Sequence, residues 1–284
     1  MTGAIILNKS KNITSRDLVN DLNRVLETRE IGHTGTLDPM ATGLMVCLIG
    51  RATKLTDILI KDEKEYLATF KLGILTDSLD ITGNVIKEEL YELDNNHLKK
   101  VLNDFIGSYN QEVPIYSAVK VNGKKLYDYA RNNEEVKLPK KEVTIHTLEL
   151  IKIQEDEITI RTKVSKGTYI RSLIRDIAEK LGTYGTLTAL ERTMVGNFKI
   201  EDACSVNDVL NNNYRLISVS ELLKDYPHEE IDPEMLYKVR HGQIINREIN
   251  DYILFTASGQ EIALYQKYDK DKTKIKPAVM FYLL

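Results

Sequence analysis

Apolar residues recur along the chain at spacings that predict both strands and helices. Residues 4–7 and 44–49 are short apolar runs, which predict strands. Residues 18–26 instead place their apolar side chains at the three- and four-residue spacing of one helix face. Thr14 and Asp17 precede this stretch in the arrangement of a capping box, so we expect a helix to begin there.

The rest of the pattern mixes strands and helices without a strict strand–helix–strand alternation. The predicted elements are a helix through about Ile60, a strand at 65–72, a helix around 98–105, a hairpin of 142–150 with 157–165, a helix from near Tyr169 to Lys180 that ends at Gly182, and C-terminal strands at 252–256, 261–265 and 279–284. This mixture favours an α+β fold class over a doubly wound parallel sheet.

Two breaks in the pattern divide the chain. Three asparagines at 211–213 form one break, and the proline-bounded stretch 227–233 forms the other. The residues after the second break are rich in predicted strands. We therefore predict a main domain over residues 1–228 and a small β-rich domain over residues 229–284.

The composition is that of an ordinary folded protein of 284 residues, of which 42% are hydrophobic. No apolar run approaches the roughly 18–20 residues of a membrane-spanning helix, and the first residues lack the order of a signal peptide. We therefore expect a cytoplasmic protein with no membrane association. Cys47 and Cys204 belong to no CxxC pair, and the five histidines show no ligand spacing, so we expect no metal.

Charge is segregated along the chain although the net charge is only −3. Residues 118–141 hold seven basic and three acidic side chains, a local charge of +4, whereas residues 89–104 hold four acids and two lysines. Local positive patches, and not the overall charge, determine affinity for RNA. The basic stretch is thus either a solvated surface or a phosphate-binding patch.

The stretch Gly32–Gly43, with the sequence GHTGTLDPMATG, is the most specific feature of the chain. Its glycines permit a close approach of the backbone, and Pro39 favours an extended conformation at Asp38. The stretch therefore predicts a shaped loop that presents one carboxylate. A turn or helix cap is the ordinary role of a loop aspartate and is the alternative for Asp38.

This loop resembles the signature of the TruB-type tRNA pseudouridine-55 synthases, in which a GHxGxLDPxAxG loop holds the catalytic aspartate. Other segments that resemble the family's motifs are Lys64-Glu65-Tyr66, Pro114–Gly123 with its continuation to Arg131, Lys166–Arg171 and Leu190–Thr193. The chain departs from the family pattern at Ser10, Asn12, Val113 and Glu191.

The resemblance assigns roles to the matching residues. It implies that Asp38 is the catalytic aspartate and that Arg171 pairs with it. It implies that Tyr66 stacks on the flipped target base and is the leading candidate for proton removal. From the residues alone, a surface helix arginine is the alternative for Arg171, and a strand tyrosine packed on the core is the alternative for Tyr66.

The resemblance also implies a set of substrate-binding residues. His33 would fill the gap left by the extruded base, Tyr169 would organise the site, and Lys9 would support the active-site loop. A loop histidine bonded to backbone and a core tyrosine are the alternatives for His33 and Tyr169. The candidate phosphate contacts are Lys120, Lys124, Lys125 and Arg131.

The implied fold is a pseudouridine-synthase catalytic domain over 1–228, with a mixed, mainly antiparallel sheet flanked by helices and an RNA-binding insertion at about 85–141. Residues 229–284 would form a small PUA-like RNA-binding domain. The implied activity is isomerisation of uridine 55 in the tRNA T-loop by an aspartate nucleophile and base flipping. It implies no cofactor and no obligatory protein partner, and we expect a monomer that binds the T-arm of tRNA.

Two other functions remain open from the sequence. A guide-RNA-directed pseudouridine synthase shares this loop but typically carries a larger PUA domain. A non-catalytic tRNA-binding or RNA-folding protein could use the same scaffold, although it could lose Asp38 or Arg171, which are both present. A phosphate-loop nucleotidase is disfavoured because the chain lacks a GxxxxGK[ST] sequence.

Overall fold

The computed structural model describes residues 1–59 and 63–281. The strands are β1 (Gly3–Lys9), β2 (Ile31–His33), β3 (Thr42–Ile49), β4 (Lys64–Leu72), β5 (Ile74–Thr76), β6 (Val85–Glu88), β7 (Gly107–Glu112), β8 (Lys120–Val121), β9 (Lys124–Lys125), β10 (Lys140–Gln154), β11 (Glu157–Val164), β12 (Gly185–Val195), β13 (Phe198–Lys199), β14 (His228–Glu230), β15 (Ile245–Asn246), β16 (Tyr252–Ala257), β17 (Gln260–Lys267) and β18 (Lys274–Met280). The α-helices are α1 (Ser15–Val25), α2 (Thr56–Leu59), α3 (Asn95–Asp104), α4 (Leu126–Arg131), α5 (Ile170–Leu181), α6 (Val206–Leu210), α7 (Val219–Leu222) and α8 (Pro233–Arg240), and 3₁₀ turns cover Gly50–Leu55 and Ile200–Asp202. The predicted α+β class is confirmed.

Within the described residues, the larger sheet has nine strands and the order β1-β3-β12-β4-β11-β10-β7, with β2 paired to β3 and β13 to β12. All its pairings are antiparallel except that of β12 with β3. The sheet is therefore mixed and mainly antiparallel, as predicted. Strand β12, which lies between β3 and β4, was not among the predicted elements.

A second sheet, with the order β14-β16-β17-β18-β15, contains the C-terminal strands. The predicted strands at 252–256 and 261–265 correspond to β16 and β17. The strand predicted at 279–284 overlaps β18, which runs from Lys274 to Met280, at its first two residues. Residues 282–284 lie outside the described residues, as does Ile60. The first half of β18 was missed because two lysines and a proline surround its buried Ile275, so no apolar pattern marks it.

Two helix ends form as their local sequence predicts. At the start of α1, the Thr14 side chain accepts a hydrogen bond from the Asp17 amide while the Asp17 carboxylate accepts one from the Thr14 amide. At the end of α5, Gly182 adopts a left-handed conformation with φ of 83°. Across the described part of the chain, no helix has the length and apolar character needed to cross a membrane.

Both faces of the larger sheet are buried, which explains the uninterrupted apolar runs of β1 and β3. Ile5 and Leu7 point toward the core formed with α1, α3 and α5. Ala4 and Ile6 point the other way, into a core completed by Leu254 and other residues of the second sheet. The second sheet thus packs against the larger one, and the Gly32–Gly43 loop lies on the α1 and α5 face, since its Leu37, Met40 and Ala41 belong to that core.

Candidate active site

The Gly32–Gly43 loop is held at both ends by the sheet. It leaves β2 and enters β3, and these strands pair antiparallel with His33 opposite Cys47. Leu37, Met40 and Ala41 are buried. Asp38 lies among these buried residues, yet its side chain keeps 36% exposure. Because its neighbours are buried, the loop is held in place, and the Asp38 carboxylate is the group that it leaves accessible.

Arg171, at the start of α5, reaches this carboxylate. The guanidinium Nε lies 2.9 Å from Asp38 Oδ2, and Nη2 donates a hydrogen bond of 3.2 Å to Asp38 Oδ1. Such two-point pairing fixes the plane of a carboxylate as well as its position. The structure thus brings together two predicted residues that are 133 positions apart in sequence.

The Arg171 side chain is only 5% exposed and is bound by two further segments. Its Nη1 donates to the Ser78 carbonyl at 2.9 Å, and its Nη2 donates to the Tyr116 carbonyl at 3.0 Å. Asp80, itself buried, places Oδ2 3.7 Å from Nη1. The guanidinium is therefore held in place before any substrate arrives. Asp80 was missed in the sequence because residues 77–84 look like a polar surface turn.

The environment of Asp38 shifts its protonation. Burial raises the pKa of the Asp38 carboxyl above its ordinary value, because desolvation disfavours the charged form. Arg171 opposes this effect and lowers the pKa, Asp80 raises it further, and Lys9 lowers it. Among the groups around Asp38, Arg171 is thus the one that most opposes protonation of the carboxylate.

Lys9 supports the loop from within the protein. Its ammonium donates hydrogen bonds to the carbonyls of Ser10, Ile13 and Pro39, at 2.9, 2.7 and 3.2 Å. The side chain is fully buried, and burial lowers the pKa of Lys9 to about 8. Lys9, grouped in the sequence with the substrate-binding residues as a support of the active-site loop, holds the residue after Asp38 from inside the protein.

His33 lies at the end of β2, half-buried beside the loop. Its Nδ1 accepts a hydrogen bond of 3.3 Å from the Gly35 amide. Burial, followed by the nearby charges of Arg192 and Arg16, lowers the pKa of His33. The neutral imidazole is therefore favoured, and a neutral ring can stack against a base without carrying a charge out of water.

The two predicted tyrosines lie on different elements of the fold. Tyr66 lies on β4, 7% exposed, and its ring belongs to the same core as the loop residues Leu37 and Met40. Tyr169 caps the start of α5, two residues before Arg171, and burial raises its pKa. The buried Gln111 side-chain amide binds the backbone of Tyr169. Its oxygen accepts a hydrogen bond of 2.8 Å from the Tyr169 N–H, and its nitrogen donates one of 3.1 Å to the Tyr169 carbonyl.

The basic stretch forms a small hairpin, β8–β9, followed by α4. Tyr116, two residues before this stretch, connects it to the site, because the Tyr116 carbonyl accepts a hydrogen bond from Arg171. Lys120 is exposed and lies across the hairpin from Lys125. Lys124 is paired with the Glu134 carboxylate at 2.6 Å, which offsets its charge. Of the basic residues of the hairpin, Lys124 is therefore the least available to a phosphate.

The Lys125 ammonium donates to the Tyr127 hydroxyl at 2.8 Å and lies 5.1 Å from the centre of that ring. The exposed Arg131 guanidinium lies 5.4 Å from the same ring. The Tyr127 ring therefore orders two cations on one side of the hairpin, and neither has a carboxylate within ion-pair distance among the described residues.

Comparison with known proteins adds independent findings. The family model described as TruB family pseudouridylate synthase (N terminal domain) matches residues 23–170, and that of the tRNA pseudouridylate synthase B C-terminal domain matches residues 171–226. The chain is 40% identical to the tRNA pseudouridine synthase B of Mesoplasma florum, over 97% of each chain. It is 47% identical to that of Fusobacterium nucleatum, over 71% of this chain and 70% of the relative, and 35% identical to that of Bacillus cytotoxicus, over 98% and 96%.

Solved structures show the same fold at lower identity. A chain in a Cbf5-Nop10-Gar1 complex has a TM-score of 0.73 and 22% identity, and covers 99% of this chain and 85% of its own. A chain in an H/ACA RNP bound to a substrate RNA containing 2′-deoxyuridine has a TM-score of 0.72 and 21% identity, with the same coverage. At this identity the likeness concerns the fold alone.

Proposed function

The chain belongs to the TruB family of pseudouridylate synthases and isomerises uridine to pseudouridine in tRNA, and we propose that its target is uridine 55 of the T-loop, attacked by Asp38 after the base is flipped out. The observation that supports this proposal best is the half-exposed Asp38 carboxylate held at two points by a buried guanidinium. It places one ionisable group of fixed orientation at the surface.

The isomerisation replaces the bond between C1′ and N1 with a bond between C1′ and C5. The electron pair of the C1′–N1 bond leaves with the uracil, while Asp38 either attacks C1′ or removes the C2′ proton. The freed base rotates and C5 bonds to C1′, as the bond from C1′ to Asp38 breaks or the C2′ proton is returned. A base then removes the C5 proton, and N1 gains a proton. The rearrangement is redox-neutral and transfers no group from a donor, so the proposed reaction needs no cofactor.

Base flipping is required because C1′ and C5 are inaccessible in a stacked nucleotide. His33 adjoins the loop as a neutral aromatic ring and is proposed to fill the vacated position. Tyr66 shares the core face of the loop and is proposed to stack on the flipped base. Each stacking contact of this kind contributes about 1–3 kcal/mol.

The tRNA is proposed to be held by its shape and backbone, as is usual for folded RNA. The β8–β9 hairpin and α4, inside the proposed insertion at about 85–141, offer Lys120, Lys125 and Arg131 to phosphates. Residues 229–284 are proposed as the PUA-like RNA-binding domain, since the second sheet begins with β14 at His228. We propose that the enzyme acts as a monomer without a protein partner.

The proposed function predicts a specific product from purified components. The protein, incubated with an unmodified tRNA transcript and no other RNA or protein, is expected to form pseudouridine at position 55 only. A transcript with cytidine at that position is the control and should yield none. Product that appears only with an added guide RNA would favour a guide-directed enzyme. Binding without product would favour a non-catalytic tRNA-binding protein.

Replacing Lys124 and Lys125 together with alanine is expected to weaken tRNA binding and to lower its dependence on salt. Each lost phosphate contact should reduce the slope of log K against log salt by about 0.7–0.9. Because Glu134 already offsets Lys124, most of the change should come from Lys125→Ala alone. Binding isotherms at several salt concentrations measure the slope.

The matched control for this measurement is Lys224→Ala. Lys224 is exposed and follows Leu222 and Leu223, which pack in the core on the opposite face of the larger sheet from the loop. It removes one positive charge, as Lys125→Ala does, away from the proposed RNA surface. An unchanged slope in the double variant, or an equal change in the control, would remove the hairpin from the interface.

A further inference from the structure

Arg192, on the central strand β12, has the largest of the fully buried side chains in the described part of the chain. Its Nε donates a hydrogen bond of 2.8 Å to the Leu44 carbonyl, and its Nη2 donates one of 3.0 Å to the Gly35 carbonyl. Gly35 and Leu44 flank the segment that carries Asp38. One guanidinium therefore bridges the two ends of the loop.

This bridge is costly to bury. Among the described residues no salt bridge joins Arg192 to a carboxylate, and its guanidinium donates to main-chain carbonyls instead. Taking an unpaired cation out of water costs several kcal/mol. An apolar side chain of similar volume would fill the same space without this cost, which indicates that the guanidinium contributes something besides packing.

The backbone of Arg192 also joins the loop to β4. It pairs with Gly43 of β3 on one side and with Tyr66 of β4 on the other. Gly43 has φ of 105°, and a Cβ there would lie 2.4 Å from the Arg192 carbonyl oxygen, so the loop end and β12 are in close contact. Arg192 is thus the residue that lies between the Asp38 loop and Tyr66.

We propose that Arg192 is a positioning residue whose guanidinium ties the two ends of the Gly35–Leu44 segment and so holds Asp38 at a constant distance from Tyr66. The kinetic effect of this inference rests on the proposed function, whereas the hydrogen bonds from Arg192 to the two ends of the loop do not. Burial and the Arg192 charge both keep His33 neutral, so removing this cation should also raise the pKa of His33.

The test compares Arg192→Met with wild type and with Arg161→Met, a matched change of an exposed arginine on β11 of the same sheet. Thermal melting first shows that each variant is folded. Amide hydrogen exchange of a peptide covering the loop is expected to be at least about 10-fold faster in Arg192→Met and unchanged in Arg161→Met. NMR titration should show a higher His33 pKa in Arg192→Met only.

Single-turnover rates and tRNA affinity then test the kinetic role. Arg192→Met should lower the rate of pseudouridine formation by about 100-fold while the Kd for tRNA stays within about threefold. Loop exchange and rate equal to wild type would overturn the proposal, as would a lost rate with an unchanged loop. If wild type forms no pseudouridine, the proposed function fails. The exchange experiment still tests whether Arg192 holds the two ends of the loop together.

Arg192→Lys covers the case in which the methionine variant does not fold. It keeps the buried cation, but a single ammonium nitrogen cannot occupy the positions of both Nε and Nη2. We expect faster loop exchange and a rate between those of wild type and Arg192→Met. A folded lysine variant with wild-type exchange and rate would equally overturn the proposal.

Discussion

Asp38→Asn is expected to lower pseudouridine formation by at least about 10³-fold while leaving the Kd for tRNA within about threefold. Asparagine has the shape of aspartate and fits the same loop, but its amide carries no negative charge to attack C1′ or to take the C2′ proton. The loop, the basic hairpin and the stacking rings are unchanged. The loss should therefore appear in the chemical step.

Single-turnover kinetics with excess protein measure the rate of the chemical step, and equilibrium binding measures the affinity for tRNA. Asp156→Asn is the matched control, because Asp156 is an exposed carboxylate that binds Lys71 at 2.7 Å on the surface. Turnover by Asp38→Asn near the wild-type rate would contradict the assignment of Asp38. An equal loss in rate and in affinity would show that the carboxylate acts in binding and not in the reaction.

Arg171→Met is expected to move the acidic limb of the pH–rate profile to higher pH. Activity needs ionised Asp38, so the rate falls as pH drops through the pKa of that carboxyl. Burial already raises this pKa, and Arg171 is the cation that most opposes the rise. Removing it should raise the pKa further and lower the rate near neutrality by about 100-fold, with a larger loss at lower pH.

The same substitution also removes the cation beside the buried Asp80. Leaving a buried carboxylate without its partner destabilises a protein by about 3–5 kcal/mol, so melting must accompany the kinetics. Arg171→Lys keeps a positive charge without the two-point contact, and its acidic limb should lie between those of wild type and Arg171→Met. A profile whose acidic limb does not move in either folded variant would contradict the electrostatic role of Arg171.

Much of the fold could be predicted from local pattern. The runs of β1 and β3, the cap at Thr14 and the end of α5 at Gly182 depend on neighbouring residues and on burial alone, so the chain specifies them locally. Strand β12 could not be predicted in this way. Its first four residues are all buried although two of them are threonines, and the strand also includes the buried Arg192. From hydropathy alone, threonine and arginine are expected at a surface.

The candidate site could likewise be predicted only in part. The shape of the loop and the resemblance of two distant segments predicted that Asp38 and Arg171 act together, and the geometry places them in contact. Nothing in the sequence around Asp80 or Gln111 predicted that the first lies beside Arg171 or that the second clamps Tyr169. Their partners come from other strands and helices.

The amino-acid sequence by itself determined the elements, the carboxylate loop and the family, because these depend on spacing, turn chemistry and motif. Only the tertiary structure decided which buried polar groups serve that loop. Lys9 and Arg192 both satisfy main-chain carbonyls inside the protein, and a side chain's need for a partner does not specify where along the chain that partner will be found. The folded sheet supplies that information by bringing β1 and β12 against the loop.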